Sequence, residues 1–294
     1  MKSKRILVSG SSGFLGSNLC SKLIKDGHNV EKLDLIDDGS GTTIIEDISN
    51  IPDSRLYALG NFDVIYYLAS PCSVVQFNKE PVKCIRNTIH GFSNVLKLAN
   101  KSTRVIYPSS GNVYGLSKEY KENSIPIPTN LYAVSKLSIE DMALQSDKDT
   151  LGFRIFAGYG DREEKKGELS SVVGLFTKDI LNNKDITLWG DGNQTRDFIY
   201  ISDIVEALSQ SIYLKSHPRI FNLGTGVNIS FNDLILKIST IANKNIPKIN
   251  YVDKPVSYVD NTCADMNLFN KYFKINMKTI EEGIKSYLNY LKVN

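Results

Sequence analysis

The sequence is poor in the residues that build disulfide frameworks and metal sites. Among 294 residues there are only four cysteines and three histidines. The cysteines stand far apart without CxxC spacing, and the histidines are scattered: Cys20, Cys72, Cys84, Cys263, His28, His90 and His217. We therefore predict free thiols in a reducing compartment, with no disulfide framework and no metal site.

The chain also lacks long hydrophobic runs and blocks of basic charge. The first apolar run, in MKSKRILVSGSSGF, stops after three residues, and no later run approaches the length of a membrane span. The 35 basic residues are interspersed with 32 acidic ones, for a net charge of +3. We therefore expect a cytoplasmic protein that engages neither a membrane nor a nucleic acid.

Short apolar strands alternate with helical segments through the first half of the chain. The predicted strands are RILVSG (5–10), NVEKLDL (29–35), DVIYYLAS (63–70), RVIYPSS (104–110) and GFRIFAG (152–158). Helical spacing of apolar residues predicts helices at 14–27, 80–101 and 132–145. This alternation predicts an α/β fold with a Rossmann-type, doubly wound parallel sheet.

The regular alternation of predicted strands and helices ends after about residue 160. The polar loop DREEKKGELSS precedes a helix, VVGLFTKDILNNK, and then a strand, turn and strand in DITLWGDGNQTRDFIYISD. RIFNLGTG (219–226) reads as one more buried strand, and SFNDLILKISTIA and TIEEGIKSYLNYLK as helices. We predict a nucleotide-binding domain of residues 1–160 that also receives about 196–226, and a smaller C-terminal α/β substrate-binding lobe of 161–195 and 227–294.

The first predicted strand ends in a glycine motif, GSSGFLG, that opens a helix. Gly10, Gly13 and Gly16 allow a tight turn and a close backbone approach, so that a pyrophosphate can sit at the helix N-terminus. Asp34 ends the next strand eighteen residues after Gly16, where a carboxylate can accept both adenosine ribose hydroxyls. The same carboxylate would repel a 2′-phosphate, which favours NAD over NADP.

Tyr132 and Lys136 form a YxxxK pair at the start of a predicted helix, and their spacing places both on one face. An ammonium near a phenol favours phenolate, so we expect Lys136 to lower the pKa of Tyr132 from about 10 toward neutrality. Tyr132 would then serve as a general acid or base. The strand ending in PSSGNVYG can supply a serine hydroxyl to the same substrate oxygen.

With these motifs in place, the chain resembles the extended short-chain dehydrogenase/reductase family, in particular its NAD-dependent nucleotide-sugar epimerases and dehydratases. LVSGSSGFLGSNL, DVIYYLAS, IRNTIHGFSNVLKLA, VIYPSSGNVYG, YAVSK, GDGNQTRDFIYISDI and FNLGTG occur in the family's order and spacing. The resemblance covers nearly the whole chain. It implies NAD as cofactor, a nucleotide-sugar substrate, and a homodimer formed through helices at 87–100 and 132–146.

The resemblance also implies which residues bind the cofactor. Glycines and their neighbours would wrap the pyrophosphate, Asp34 would hold the ribose, and Asp47 with Ile48 would meet the adenine edge. The strand end at Leu68–Ser70 would line the cofactor, and Asn87 would support it or the active-site strand. The full cofactor set is Gly10, Gly13, Phe14, Leu15, Gly16, Asp34, Asp47, Ile48, Leu68, Ala69, Ser70, Asn87, Ser109, Tyr132 and Lys136.

Ser110, Tyr132 and Lys136 form the catalytic set that the resemblance implies; Ser110 is preferred over Ser109 because it stands four residues before Tyr114 in the family's register. Tyr132 would take the proton of a sugar C4 hydroxyl while Ser110 binds the same oxygen. Thr187 and Trp189 would flank the nucleotide base, and Arg196 would approach the nucleotide diphosphate; with Ser110 they form the substrate-binding set that the resemblance implies.

Five positions depart from patterns found in the family. Ala157 replaces an asparagine that contacts the substrate diphosphate in many members, and Lys254-Pro255 is the nearest remnant of an Arg-Pro-Gly motif. Gly111 and Asn112 stand where 4,6-dehydratases carry an Asp-Glu pair and UDP-glucuronate decarboxylases a glutamate. Neither can exchange the proton that elimination needs, and no Cys-His pair of the 3,5-epimerase/reductase type stands near them.

Three functions follow as hypotheses. The preferred one is a nucleotide-hexose 4-epimerase that retains NAD, and the second is a reductase of a nucleotide-4-keto-6-deoxy-sugar that consumes NAD(P)H. The third, an NAD-binding protein without catalysis, is disfavoured by the intact Ser110, Tyr132 and Lys136 set. An acyl-transfer enzyme is disfavoured because no G-x-S-x-G elbow occurs.

Overall fold

The computed structural model describes residues 2–254 and 258–293, and of Lys165 and Glu168 only the backbone. In this part of the chain the strands are β1 (Arg5–Ser9), β2 (Asn29–Asp34), β3 (Thr43–Ile45), β4 (Val64–Tyr67), β5 (Arg104–Ser110), β6 (Asp149–Ile155), β7 (Ala157–Tyr159), β8 (Ile186–Trp189), β9 (Thr195–Tyr200), β10 (Ile220–Leu223), β11 (Asn228–Ser230) and β12 (Ile249–Val252).

The α-helices surround these strands. They are α1 (Phe14–Lys25), α2 (Asp53–Ala58), α3 (Val74–Lys79), α4 (Pro81–Leu98), α5 (Leu131–Gln145), α6 (Val172–Leu181), α7 (Ile201–Gln210), α8 (Phe231–Ala242), α9 (Asn267–Tyr272) and α10 (Ile280–Val293). Short 3₁₀ helices occur at Gly111–Tyr114, Glu163–Leu169 and Ser211–Tyr213. Within the described residues, no helix combines the length and apolarity needed to cross a membrane.

The main sheet is parallel and has seven strands in the order β10-β6-β5-β4-β1-β2-β3. The chain runs outward from β1 to β3 and then crosses to β4 on the other side of β1. This reversal creates a crevice at the carboxyl ends of β1 and β4, which is where doubly wound folds bind ligands. The predicted Rossmann-type fold is confirmed.

Residues of one strand alternate between two cores, one on each face of the sheet. Ile6 and Val8 of β1 belong to one buried cluster and Leu7 to the other. Tyr66 and Tyr67 of β4 divide in the same way. This two-sided burial explains why these strands read as unbroken apolar runs.

Beside the main sheet lie two smaller ones, β11-β9-β7 and β12-β8. One prediction is wrong here. Residues 152–158 form two strands: β6 stays in the main sheet and, after Phe156, β7 leaves to pair with β9. The strand, turn and strand predicted at 185–203 are present as β8 and β9, which join different sheets: β8 pairs with β12, and β9 with β7 and β11.

The segments assigned to the two domains interleave. β10 lies at the edge of the main sheet beside β6, whereas β9 and β11 pair in the three-stranded sheet. The division at residues 160, 196 and 226 stays a prediction. The main sheet and the three-stranded sheet both contribute residues to the lining of the candidate site, so the packing of these two sheets positions the site.

Candidate functional site

The loop between β1 and α1 leaves no room for side chains at two of its glycines. Gly10 has a φ of +77°, and a Cβ there would lie 2.5 Å from the Leu68 carbonyl carbon. A Cβ on Gly16 would collide with the Gly10 backbone. Gly13 is the N-cap of α1 and has no side chain to occupy its first N–H groups. These groups fit a pyrophosphate, as predicted for NAD.

Phe14 and Leu15 continue this loop into the first turn of α1, and both are half-buried. Ser11, between the glycines, is fully buried, and its Oγ has no hydrogen-bond partner within the described part of the chain. Asn87 Oδ1 on α4 is likewise a buried atom without a hydrogen-bond partner among the described residues. Buried polar atoms without partners are unusual and fit a surface built to meet a bound group.

Asp34 lies at the end of β2 with its carboxylate directed to the glycine loop. It accepts the Ser12 N–H at 2.9 Å and the Leu35 N–H at 2.7 Å. Asp47 accepts from the N–H and hydroxyl of Ser49, whereas Ile48 is only 2% exposed and packs into the core. Of the two predicted adenine contacts, only Asp47 therefore has an accessible side chain.

The end of β4 meets Lys136 of the predicted catalytic set. Leu68 and Ala69 approach Gly10 closely, and the Lys136 ammonium donates to Ser70 Oγ at 2.7 Å. Ser70 thus joins the cofactor loop to α5. This contact places the predicted lysine at the crevice between β1 and β4.

Ser109 and Ser110 of β5 have different partners. Ser109 Oγ donates to Glu140 on α5, which forms a buried ion pair with Arg154 at 2.7 Å. The Ser109 side chain is therefore engaged in the core, and its place in the predicted cofactor set stays a prediction. Ser110 Oγ accepts the Asn112 N–H at 3.2 Å and hydrogen-bonds Tyr132.

Tyr132 and Lys136 lie on α5, whose N-cap Asn130 accepts the Ala133 N–H at 2.9 Å. The Lys136 ammonium lies 5.8 Å from the Tyr132 ring centroid. Burial raises the pKa of Tyr132 to about 12, although the hydrogen bond to Ser110 favours phenolate. The expected lowering by Lys136 is wrong for this structure, because the ammonium donates to Ser70 and loss of hydration outweighs other contributions.

Burial acts in the opposite direction on Lys136, whose pKa falls to about 8. The charged form of each group is disfavoured by the same dry surroundings. Two buried groups with shifted pKa values beside a cleft are typical of catalytic sites.

A cleft of about 650 Å³ opens beside this set. Ser110, Gly111 and Asn112 line it, as do the three residues predicted to bind substrate, Thr187, Trp189 and Arg196. Among the described residues that line the cleft there is no aspartate, glutamate or histidine. The sequence-predicted substrate residues are therefore brought together with Ser110, although 77 to 86 positions separate them along the chain.

Arg196 and Trp189 form a ring-lined part of this cleft. The Arg196 guanidinium lies 5.1 Å from the Tyr258 ring centroid, and its Nη1 donates to the Asp260 carbonyl at 3.0 Å. The Trp189 ring meets Tyr258 edge to face at 5.6 Å. Two aromatic rings and a planar cation offer faces to a nucleotide.

Three of the positions that depart from the family pattern, Ala157, Gly111 and Asn112, also line the cleft. Ala157 presents a methyl group there, and Asn112 is exposed at the end of β5. A Cβ on Gly111 would lie 3.1 Å from the Phe156 ring, so a larger residue at this position requires the ring to shift. Lys254 pairs with Asp260 at 2.5 Å, while Pro255, the second residue of the predicted remnant, lies outside the described residues.

Sequence reasoning missed most of the apolar lining of the cleft and, among its reactive, charged or aromatic residues, Cys72, Lys166 and Tyr258. Cys72 follows β4 just beyond the predicted cofactor residues, so its distance from Ser70 was an available signal. Lys166 lies in the 3₁₀ helix Glu163–Leu169, which the sequence predicts as a polar loop, and Tyr258 lies outside the helices and strands. Nothing local distinguishes them from solvated surface residues.

Comparisons with known proteins agree with this geometry. Residues 6–224 match the NAD dependent epimerase/dehydratase family. A solved structure of UDP-N-acetylglucosamine 4-epimerase from Methanobrevibacter ruminantium, in complex with UDP-N-acetylmuramic acid, has a TM-score of 0.88 and 26% identity, covering 100% of this chain and 99% of that one.

Two curated relatives are each 30% identical. The putative UDP-glucose 4-epimerase of Methanocaldococcus jannaschii matches over 78% of this chain and 79% of its own length. The UDP-N-acetyl-alpha-D-glucosaminuronate decarboxylase of Bacillus cytotoxicus matches over 82% and 81%. These relatives are enzymes with different reactions on one scaffold. The chain belongs to the NAD-dependent epimerase/dehydratase family, an enzyme family of the extended short-chain dehydrogenase/reductase type that uses NAD.

Proposed function

We propose that this chain is a nucleotide-hexose 4-epimerase that works by reversible hydride transfer at C4 of the sugar. The observation that carries the proposal is the cleft itself. Ser110, hydrogen-bonded to Tyr132, lies at one end, and no carboxylate or histidine occurs among the described lining residues. Such a site can move a proton and support a hydride transfer, but among the described lining residues it offers no carboxylate or histidine as the second acid or base for elimination.

The chain's own residues have distinct tasks in this reaction. Tyr132 exchanges the proton of the C4 hydroxyl, and Ser110 hydrogen-bonds the same oxygen. Lys136, whose ammonium donates to Ser70 at the crevice, would hold the nicotinamide ribose. Bound NAD supplies the hydride acceptor and donor.

The relatives include a decarboxylase, so the reaction must be argued from the site. By resemblance, decarboxylases and dehydratases use acidic residues directly after the catalytic hydroxyl. Gly111 and Asn112 occupy these positions, and an amide cannot take up a proton as a carboxylate does. This supports epimerisation over elimination.

A reductase of 4-keto sugars is the competing function, because it would use Ser110, Tyr132 and Lys136 in the same way. Ala157 favours it, since the substrate diphosphate must be held differently from the family's pattern. The two functions differ in their use of cofactor: an epimerase returns the hydride, whereas a reductase consumes it.

The test is to purify the protein, release its small molecules and assay UDP-glucose/UDP-galactose and UDP-GlcNAc/UDP-GalNAc. Retained NAD and interconversion of a pair without added cofactor support the proposal. Absence of bound NAD, with NAD(P)H oxidation only in the presence of a 4-keto sugar, supports the reductase instead. An Asn112→Asp variant is the matched control, because it adds a carboxylate of nearly the same size to the cleft.

A further inference from the structure

The charge of the cleft is concentrated in two side chains. Among the described residues that line it, Lys166 and Arg196 are cationic and none is acidic. The wall between them is mostly apolar and includes Ala157, Val172 and Leu175. An anionic ligand in this cleft therefore has two sources of charge neutralisation.

Lys166 lies where the cleft meets the glycine loop. Its ammonium is 3.8 Å from the centroid of the Phe14 ring, at the start of α1. Its side chain is 17% exposed, so the charge is partly withdrawn from water. A cation in such a position gains more from an anion than a fully solvated lysine does.

Glu163 holds this lysine in place but leaves it free to bind. The Glu163 side chain is fully buried and accepts the Ser171 N–H at 2.6 Å and the Ser171 hydroxyl at 3.0 Å. The Lys166 ammonium lies 3.3 Å from its Oε1. Because the carboxylate is shared among these donors and an ammonium has three N–H groups, Lys166 retains donors for another anion.

We propose that Lys166 is a pyrophosphate-binding residue that neutralises the substrate's diphosphate, compensating for the alanine at position 157. The family's diphosphate contact at that position is an amide, whereas Ala157 offers only a methyl group. Lys166 brings a full charge from a different element, the Glu163–Leu169 turn. This inference rests on the proposed function, since it presumes a nucleotide-sugar substrate.

Two pyrophosphates are candidates at this junction, that of the nucleotide sugar and that of NAD. The experiment therefore has two arms, both on the protein as purified. Calorimetry measures the affinity of UDP and of uridine, and chromatography of the denatured protein measures retained NAD per chain. The variants are Lys166→Gln and Lys166→Arg, with Lys178→Gln on the exposed side of α6 as the matched control.

We expect K166Q to weaken UDP binding by about 10- to 100-fold, as for loss of one charge-assisted contact, and to leave uridine binding within about twofold. K166R should recover most of the loss and K178Q should behave as wild type. Unchanged NAD content then identifies the substrate's diphosphate. A fall in NAD content with unchanged UDP affinity identifies the cofactor's pyrophosphate instead.

The proposal is overturned if K166Q retains UDP affinity, whether its NAD content is unchanged or falls. Thermal unfolding of each variant shows whether the substitution damages the 3₁₀ helix Glu163–Leu169. K166R should unfold like wild type, because it keeps the ion pair with Glu163. If wild-type protein binds UDP no better than uridine, the proposed function fails together with this inference. Wild-type preference for UDP without an effect of K166Q overturns the inference alone.

Discussion

Tyr132 and Lys136 are single residues whose shifted pKa values come from one cause, their burial beside the crevice. The Ser110 hydroxyl and the Ser70 hydroxyl hold them in place. Burial raises the pKa of Tyr132 and lowers that of Lys136. We therefore test Tyr132 by enzyme activity and Lys136 by the pH dependence of stability.

Replacing Tyr132 by phenylalanine removes the hydroxyl that we propose exchanges the proton, and it keeps the ring that packs on Phe77. We expect kcat/KM to fall by about 10²- to 10⁴-fold, with retained NAD unchanged. Steady-state kinetics and chromatography of released NAD measure the two effects. Tyr57→Phe, at a 57% exposed tyrosine on α2, is the control, and equal activity of both variants would remove Tyr132 from the mechanism.

Lys136 predicts a pH dependence of stability. Below about pH 8 the ammonium is charged in both states, whereas between about 8 and 10.5 the unfolded chain keeps a proton that the folded protein has lost. The free energy of unfolding of NAD-free wild type should therefore rise relative to Lys136→Met, by about 2 kcal/mol from pH 7.5 to 9.5. Urea denaturation at several pH values measures the difference, and parallel curves for both proteins would refute the shift.

Among the secondary-structure elements, α4 packs closely against β4 at a glycine. A Cβ on Gly91 would lie 2.6 Å from Tyr67 Oη, which donates to the Thr88 carbonyl at 2.8 Å. Gly91→Ala should lower the free energy of unfolding by about 1–3 kcal/mol through overpacking. In a Tyr67→Phe background the same substitution should cost less, since the crowded hydroxyl is absent. Equal costs in both backgrounds would contradict this packing.

A buried ion pair joins α5 to β6. Glu140 and Arg154 are 3% and 4% exposed, and their side chains meet at 2.7 Å. Glu140→Gln leaves the guanidinium buried without an anion, so we expect a loss of about 3–5 kcal/mol in chemical denaturation. Glu80→Gln, in the exposed pair with Lys83, should change stability by less than about 1 kcal/mol. Similar effects of the two variants would show that burial is not decisive.

For the whole molecule, the homodimer remains a prediction from the family resemblance. α4 and α5 lie side by side and expose Val82 and Val134, at 79% and 43%. Light scattering should give twice the chain mass of 32.8 kDa for wild type, and about one chain mass for Val134→Arg. Val293→Arg, at the exposed end of α10, should remain dimeric. A monomeric wild type would contradict the prediction.

Local signals were sufficient for the motifs. The glycines after β1, the YxxxK pair and the serines that end β5 each depend on residues close in sequence. β5 was predicted with its exact bounds because both ends are marked locally, by Arg104 and by the polar PSSGN turn. The bounds of the strand predicted at 152–158 were wrong, because β7 leaves the main sheet to pair with β9, about forty residues further along.

The sequence by itself determined the fold class and the family, and it predicted a catalytic set, because these depend on motifs with local spacing. The tertiary structure alone decided which environment each residue has. It separated Ser109 from Ser110, raised the pKa of Tyr132 by burial, and brought Lys166 from a polar loop to the cleft. Burial and long-range contacts depend on the packed chain, so no stretch of sequence specifies them on its own.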